Sequence, residues 1–202
     1  MWTRVSNPRT AARGLAAAAL AVLAALGTAS CASDTISTGD SSVYLVVTRF
    51  EAAPGGSEGS FDSKLSSDVI TSGTVFEDLG RIGLALGRKN VNAPLSENNQ
   101  VTINRYRVTF ARADGRNTPG VDVPYPFDGA VTFTVTETGS NGTFLLVRPQ
   151  AKLEPPLIGL RGGGGAIAIT TLAEVTFYGR DQVGNDVSAT ASMTVTFADY
   201  GD

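Results

Sequence analysis

Gly55-Gly56-Ser57-Glu58-Gly59 has the G-x-S-x-G spacing of a hydrolase nucleophile elbow. Such an elbow needs a strand before it, a helix after it and a histidine to take the serine proton. The chain contains no histidine, and the SFDSKLSSD that follows is a poor helix opener. A serine–lysine pair is the remaining route to a serine nucleophile. Lys64, Lys89 and Lys152 each lack the serine three residues earlier that S-x-x-K requires. The glycine-rich stretch therefore reads as a loop. Arg161-Gly162-Gly163-Gly164-Gly165 has the look of a phosphate cradle, but it lacks the Lys-Ser/Thr of a P-loop and runs into a strand-like AIAIT. It reads as a connector.

Oxygen ligands for a calcium ion could come from Asp181, Asn185 and Asp186, or from Asp114, Asp122 and Asp128. Neither set has the dense alternating acids of a dedicated calcium loop. Asp and Asn bond to nearby backbone and favour turns, which is the simpler reading. The acids elsewhere are scattered, so no carboxylate pair announces itself. No metal, no cofactor and no enzyme activity are expected.

The segment most suited to recognition is ADGRNTPGVDVPYPFDG, 113–129. Long connections between strands are uncommon and are often functional. Prolines 119, 124 and 126 stiffen this one, and Tyr125 and Phe127 are spaced between and beyond them. Arg112, Arg116, Tyr125 and Phe127 are the expected partner-binding residues. The alternative is that the aromatics pack on the edge of the domain.

One thiol, Cys31, is present in the chain. Before it, residues 1–13 carry Arg4, Arg9 and Arg13 and no acid, and residues 14–29 carry no charge. Basic, then apolar, then small is the order of a secretory signal. The apolar run is shorter than the roughly 20 residues of a membrane span. Thr28-Ala29-Ser30-Cys31 resembles a bacterial lipobox, with Thr28 where leucine is usual. The resemblance implies cleavage before Cys31 and acylation of its thiol and amine, so that the protein's first partner is membrane lipid. Ala32 after the cysteine implies sorting to the outer membrane of a two-membrane cell. Two or three acyl chains anchor durably where one does not. Residues 32–42, ASDTISTGDSS, then read as a flexible tether, spanning about 18 Å as a coil and about 36 Å fully extended.

The expected organisation is a signal peptide over 1–30, lipidated Cys31 and tether over 31–42, and a β domain over 43–202. Removing the signal takes 16 basic residues to 13 against 19 acids, a net charge of −6. Nothing in that balance favours nucleic acid. In VSATASMTVTF, 187–197, apolar and hydroxyl residues alternate strictly, so one face is buried and one wet. AVTFTVTE, 130–137, and RIGLALG, 81–87, repeat the alternation. SVYLVVTRF, 42–50, is apolar on both faces early on, which predicts a covered strand. In QVTINRYRVTFAR, 100–112, the apolar phase shifts between Ile103 and Tyr106, which predicts a bulge or a change of sheet. Ser140-Asn141-Gly142 reads as a hairpin turn, and Asp181 to Asn185 as a second.

The second hairpin, with Tyr178, Asp181, Gly184, Asn185 and the strand from Val187, resembles the closing pair of bacterial immunoglobulin-like domains. The stretch from Arg105 to Gly129 also resembles uncharacterised bacterial lipoproteins, which implies no activity. The fold expected is an all-β, immunoglobulin-like antiparallel β-sandwich with long loops. The function expected is a non-catalytic interaction or structural module at the cell envelope, with an envelope protein as partner. The alternative is a glycan or cell-wall binder. An exposed aromatic patch beside the proline loop favours the first, a groove lined by tyrosine and acids the second.

Overall fold

The computed structural model describes residues 40–55 and 60–201. These residues form an all-β body of two sheets. The strands are β1 (Val43–Ala53), β2 (Lys64–Asp68), β3 (Asp78–Arg88), β4 (Val101–Ala111), β5 (Phe127–Val135), β6 (Ser140–Val147), β7 (Ile169–Asp181) and β8 (Asp186–Ala198). One sheet has the order β1-β3-β6 and the other β2-β8-β7-β4-β5. The larger sheet is curled into a half-barrel. Short helical turns at Pro149–Leu153 and Leu157–Leu160 lie between β6 and β7. Among the described residues no helix is long and apolar enough to cross a membrane.

Strict alternation produces the strand it predicts. Val187, Ala189, Ala191, Met193, Val195 and Phe197 of β8 are all buried, while the hydroxyl residues between them face out. β8 is interior, flanked by β7 and β2. Facing sheets meet on aromatic rings. Phe144 of β6 lies 5.0 Å from both Tyr106 of β4 and Phe177 of β7, in edge-on geometry. Such contacts add to the area they bury.

Three elements differ from expectation. β1 is an edge strand, with Val43 and Leu45 inward and Tyr44 and Val46 exposed. Its two-sided apolar run is accommodated on the wet face, where the Tyr44 ring lies over Gly87 of β3. Ser140-Asn141-Gly142 is not a turn but the start of β6; the turn lies just before it, with Gly139 at φ +83° donating to the Thr136 carbonyl. β5 and β6 belong to different sheets, so this connection crosses the body instead of making a hairpin. β2 was not expected, since Leu65 is the one large apolar residue in KLSSD. It pairs with β8 in parallel, so the larger sheet is mixed, not purely antiparallel.

The domain also begins earlier than Val43. Ser41 is buried and its hydroxyl accepts from the Val43 amide, while the Ser42 carbonyl accepts from the Lys89 amide. The signal segment, Cys31 and the tether through residue 39 lie outside the described residues, as do 56–59 of the G-x-S-x-G stretch.

Candidate functional site

The phase shift in β4 is a bulge. Ile103 pairs with Gly179 and Arg105 with Tyr178, leaving Asn104 as the extra residue. Ile103 and Tyr106 both remain buried, and Asn104 and Arg105 project side by side from the outer face. Gly179 permits this approach. A methyl group there would sit 2.5 Å from the Thr102 carbonyl oxygen and 2.9 Å from the Ile103 side chain.

Around the bulge the outer face of the larger sheet is hollowed into a dish of about 430 Å³. Asn104, Arg105, Tyr178, Arg180, Asp186 and Ser188 line it. The register explains the grouping: Arg105, Tyr178 and Ser188 stand in one row, and Thr102, Arg180 and Asp186 in the next. The Arg105 guanidinium carbon lies 4.1 Å from the Tyr178 ring centre, a cation–π contact. Arg180 donates to Asp186 at 2.7 Å. Asp128 of β5 is shared: Arg107 takes one oxygen at 2.7 Å, and Arg105 reaches the other at 3.4 Å. Three guanidinium groups thus face two carboxylates, and Arg105 is the least closely paired of the three.

The four expected loop residues do not form one surface. Phe127 is the first residue of β5 and is buried, edge-on to Tyr106 and beneath the Arg148 guanidinium. Its place in the period-two pattern of β5 decides this. Tyr125 is exposed, with its ring over Gly120, and Val121 nearby in the chain is exposed too. Arg112 and Arg116 both bond to Asp114, whose carboxyl is held well below the ordinary range chiefly by Arg112. The connection, 112–126, is tied to itself. The Thr118 carbonyl accepts from Val121 and Asp122, and Gly120 donates to the Val123 carbonyl. At its start, Ala111, Arg112, Ala113, Leu172 and neighbouring threonines line an apolar groove of about 330 Å³.

The acids weighed as calcium ligands are engaged in turn bonds and in ion pairs. Asp181 accepts from the Val183 and Asn185 amides and from the Asn185 side chain, closing the β7–β8 turn. Burial pushes its carboxyl up, but these bonds and one from Ser41 outweigh it and hold it below the ordinary range. Asp114, Asp122 and Asp128 engage different partners: two arginines, the Thr118 amide, and Arg105 with Arg107. Among the described residues no three His, Cys, Asp or Glu side chains gather as a metal site.

One cluster has no counterpart in the linear motifs. Lys152, from the helical turn after β6, places its ammonium 3.0 Å from Asp78 Oδ1, with both side chains fully buried. Ser67 donates to Asp78 Oδ2 at 2.6 Å and the Gly55 amide to Oδ1 at 2.9 Å. Burial raises the Asp78 carboxyl above its ordinary value, against the lowering pull of Lys152, Ser67 and Gly55. A serine, a lysine and a carboxylate in contact invite a catalytic reading. Ser67 is wholly enclosed and its hydroxyl is spent on Asp78, so the cluster is a clamp joining β2, β3, the segment after β1 and the turn after β6.

The described body is thus an all-β protein of two sheets, with a polar dish on the outer face of the larger one. No family model matches the chain, and none of the curated proteins matches it.

Proposed function

We propose that the chain is a cell-envelope lipoprotein, anchored through acylated Cys31, whose β domain is a non-catalytic binding module. The outer face of the five-stranded sheet is its contact surface. The observation that carries this reading is the dish itself. A β-bulge in the middle of a sheet re-aims side chains and recurs at binding sites, and here it sets Asn104 and Arg105 beside Tyr178 in a concavity of ligand size. The lipobox-like sequence supports the anchor, and Ala32 supports an outer-membrane destination.

The immunoglobulin-like reading has support in strand order. β1-β3-β6 corresponds to strands A-B-E of such a sandwich, and β8-β7-β4-β5 to G-F-C with the added C′ strand. β2 is then a further strand laid parallel to the last one. In domains of this architecture the sheet that carries C, F and G offers a broad open face.

A photo-crosslinking residue at Ser188, on the dish, tests the surface against one at Thr143, on the outer side of β6. In cells, adducts with other envelope material are expected from position 188 and not from 143. Equal adducts from both, or none from 188, would overturn the assignment.

A further inference from the structure

We infer that the dish around Tyr178 binds an acidic saccharide, with Arg105 meeting the sugar carboxylate. This rests on the outer face being the contact surface, and names the class of ligand it takes. The first argument is charge. The chain beyond residue 30 carries a net −6, yet Arg105, Arg107 and Arg180 outnumber Asp128 and Asp186 here. The nearest further acid on the outer face of β7 is Glu174, two outward positions beyond Tyr178, roughly 13 Å along the strand. A local positive excess on an acidic surface selects an anion.

The second argument is the fork. A guanidinium meets a carboxylate through two parallel hydrogen bonds. Arg107 already takes the near oxygen of Asp128, and Arg105, at 3.4 Å from the other, is held at the border of hydrogen-bonding distance. Arg105 can exchange that long contact for a ligand carboxylate and leave Asp128 paired to Arg107.

The third is the lining. Tyr178 carries the Arg105 guanidinium on its ring between β4 and β8, and Asn104, Ser188 and Asp186 supply amide, hydroxyl and carboxylate groups for sugar hydroxyls. That mixture suits a ligand whose rim is dense in hydroxyls. It does not suit an apolar peptide side chain, for which the groove beside Leu172 is the better match.

The test titrates the full-length protein, purified in mild detergent, with tetragalacturonate, and with chitotetraose as the neutral probe. Calorimetry at low salt should detect tetragalacturonate and not chitotetraose, with affinity falling as salt is added. Arg105→Ala should weaken binding by about tenfold, the loss expected for one charge-assisted bond, and Tyr178→Ala, which removes the ring on which Arg105 rests, should weaken it as well. Arg105→Lys, which keeps charge without the fork, should recover only part of it. Unchanged thermal unfolding of the variants ties any loss to the dish. Equal binding of both probes, no binding of either, or binding indifferent to Arg105 would overturn the inference. If crosslinks from Ser188 then carried only protein, the contact surface would stand and the saccharide would fall.

Discussion

A single lysine does more for this body than any surface ion pair. Lys152 and Asp78 are both enclosed, and removing one partner leaves a buried charge unanswered, which costs about 3–5 kcal/mol. Lys152→Met is therefore expected to lose that much stability in urea unfolding at neutral pH. The loss should depend on pH with a definite sign. Asp78 without its lysine has a carboxyl raised further above the 3.8 of the unfolded chain. Below that value both states are protonated and the deficit is smallest; it grows as pH rises through the raised value and is full above it. A deficit constant from pH 3 to 7 would contradict the clamp. Adding Asp78→Asn to the variant should restore part of the stability at pH 7. Nothing in the sequence announces this pair, because 74 positions separate its members and neither belongs to a local motif. Phe127 carries the converse lesson: it follows Pro126 at the end of a proline-rich loop, but its phase in β5 places it in the core.

Among the elements, β8 and the bulged β4 are legible because their patterns have few structural solutions. Alternation over the whole of β8 admits only a half-buried strand, and two buried phases in β4 one residue out of step leave a bulge or a change of sheet, of which the register shows the bulge. β2 is illegible for the opposite reason. Five residues with one large apolar side chain have no periodicity to read, and the strand exists because β8 offers it an edge. The Ser140-Asn141-Gly142 stretch has good turn chemistry, but the chain turns earlier so that β6 can join β3. The bulge makes its own prediction. Gly179→Ala places a methyl group against the Thr102 carbonyl, and overpacking of this kind costs about 1–3 kcal/mol. Chemical denaturation should show that loss, with cooperative unfolding retained. A neutral outcome would mean that β4 and β7 can separate there freely.

At the scale of the whole molecule, the proposed acylation of Cys31 sets a test of where the domain works. Wild-type protein is expected to incorporate labelled palmitate and to sediment with membranes, and Cys31→Ala to do neither. A labelled Cys31→Ala protein would remove the anchor from the account. The body itself holds together without any internal disulfide, since one cysteine cannot make one; two sheets meeting on aromatic rings supply the burial instead. The placing of β8 has a consequence for how such a body comes into being. β8, the last strand among the described residues, is an inner one, with β7 on one side and β2, more than a hundred residues earlier, on the other. Until the thirteen residues of β8 have been made, β2 has no strand of the larger sheet to lie against. β2 can therefore complete the larger sheet only after β8 has been made, long after its own synthesis.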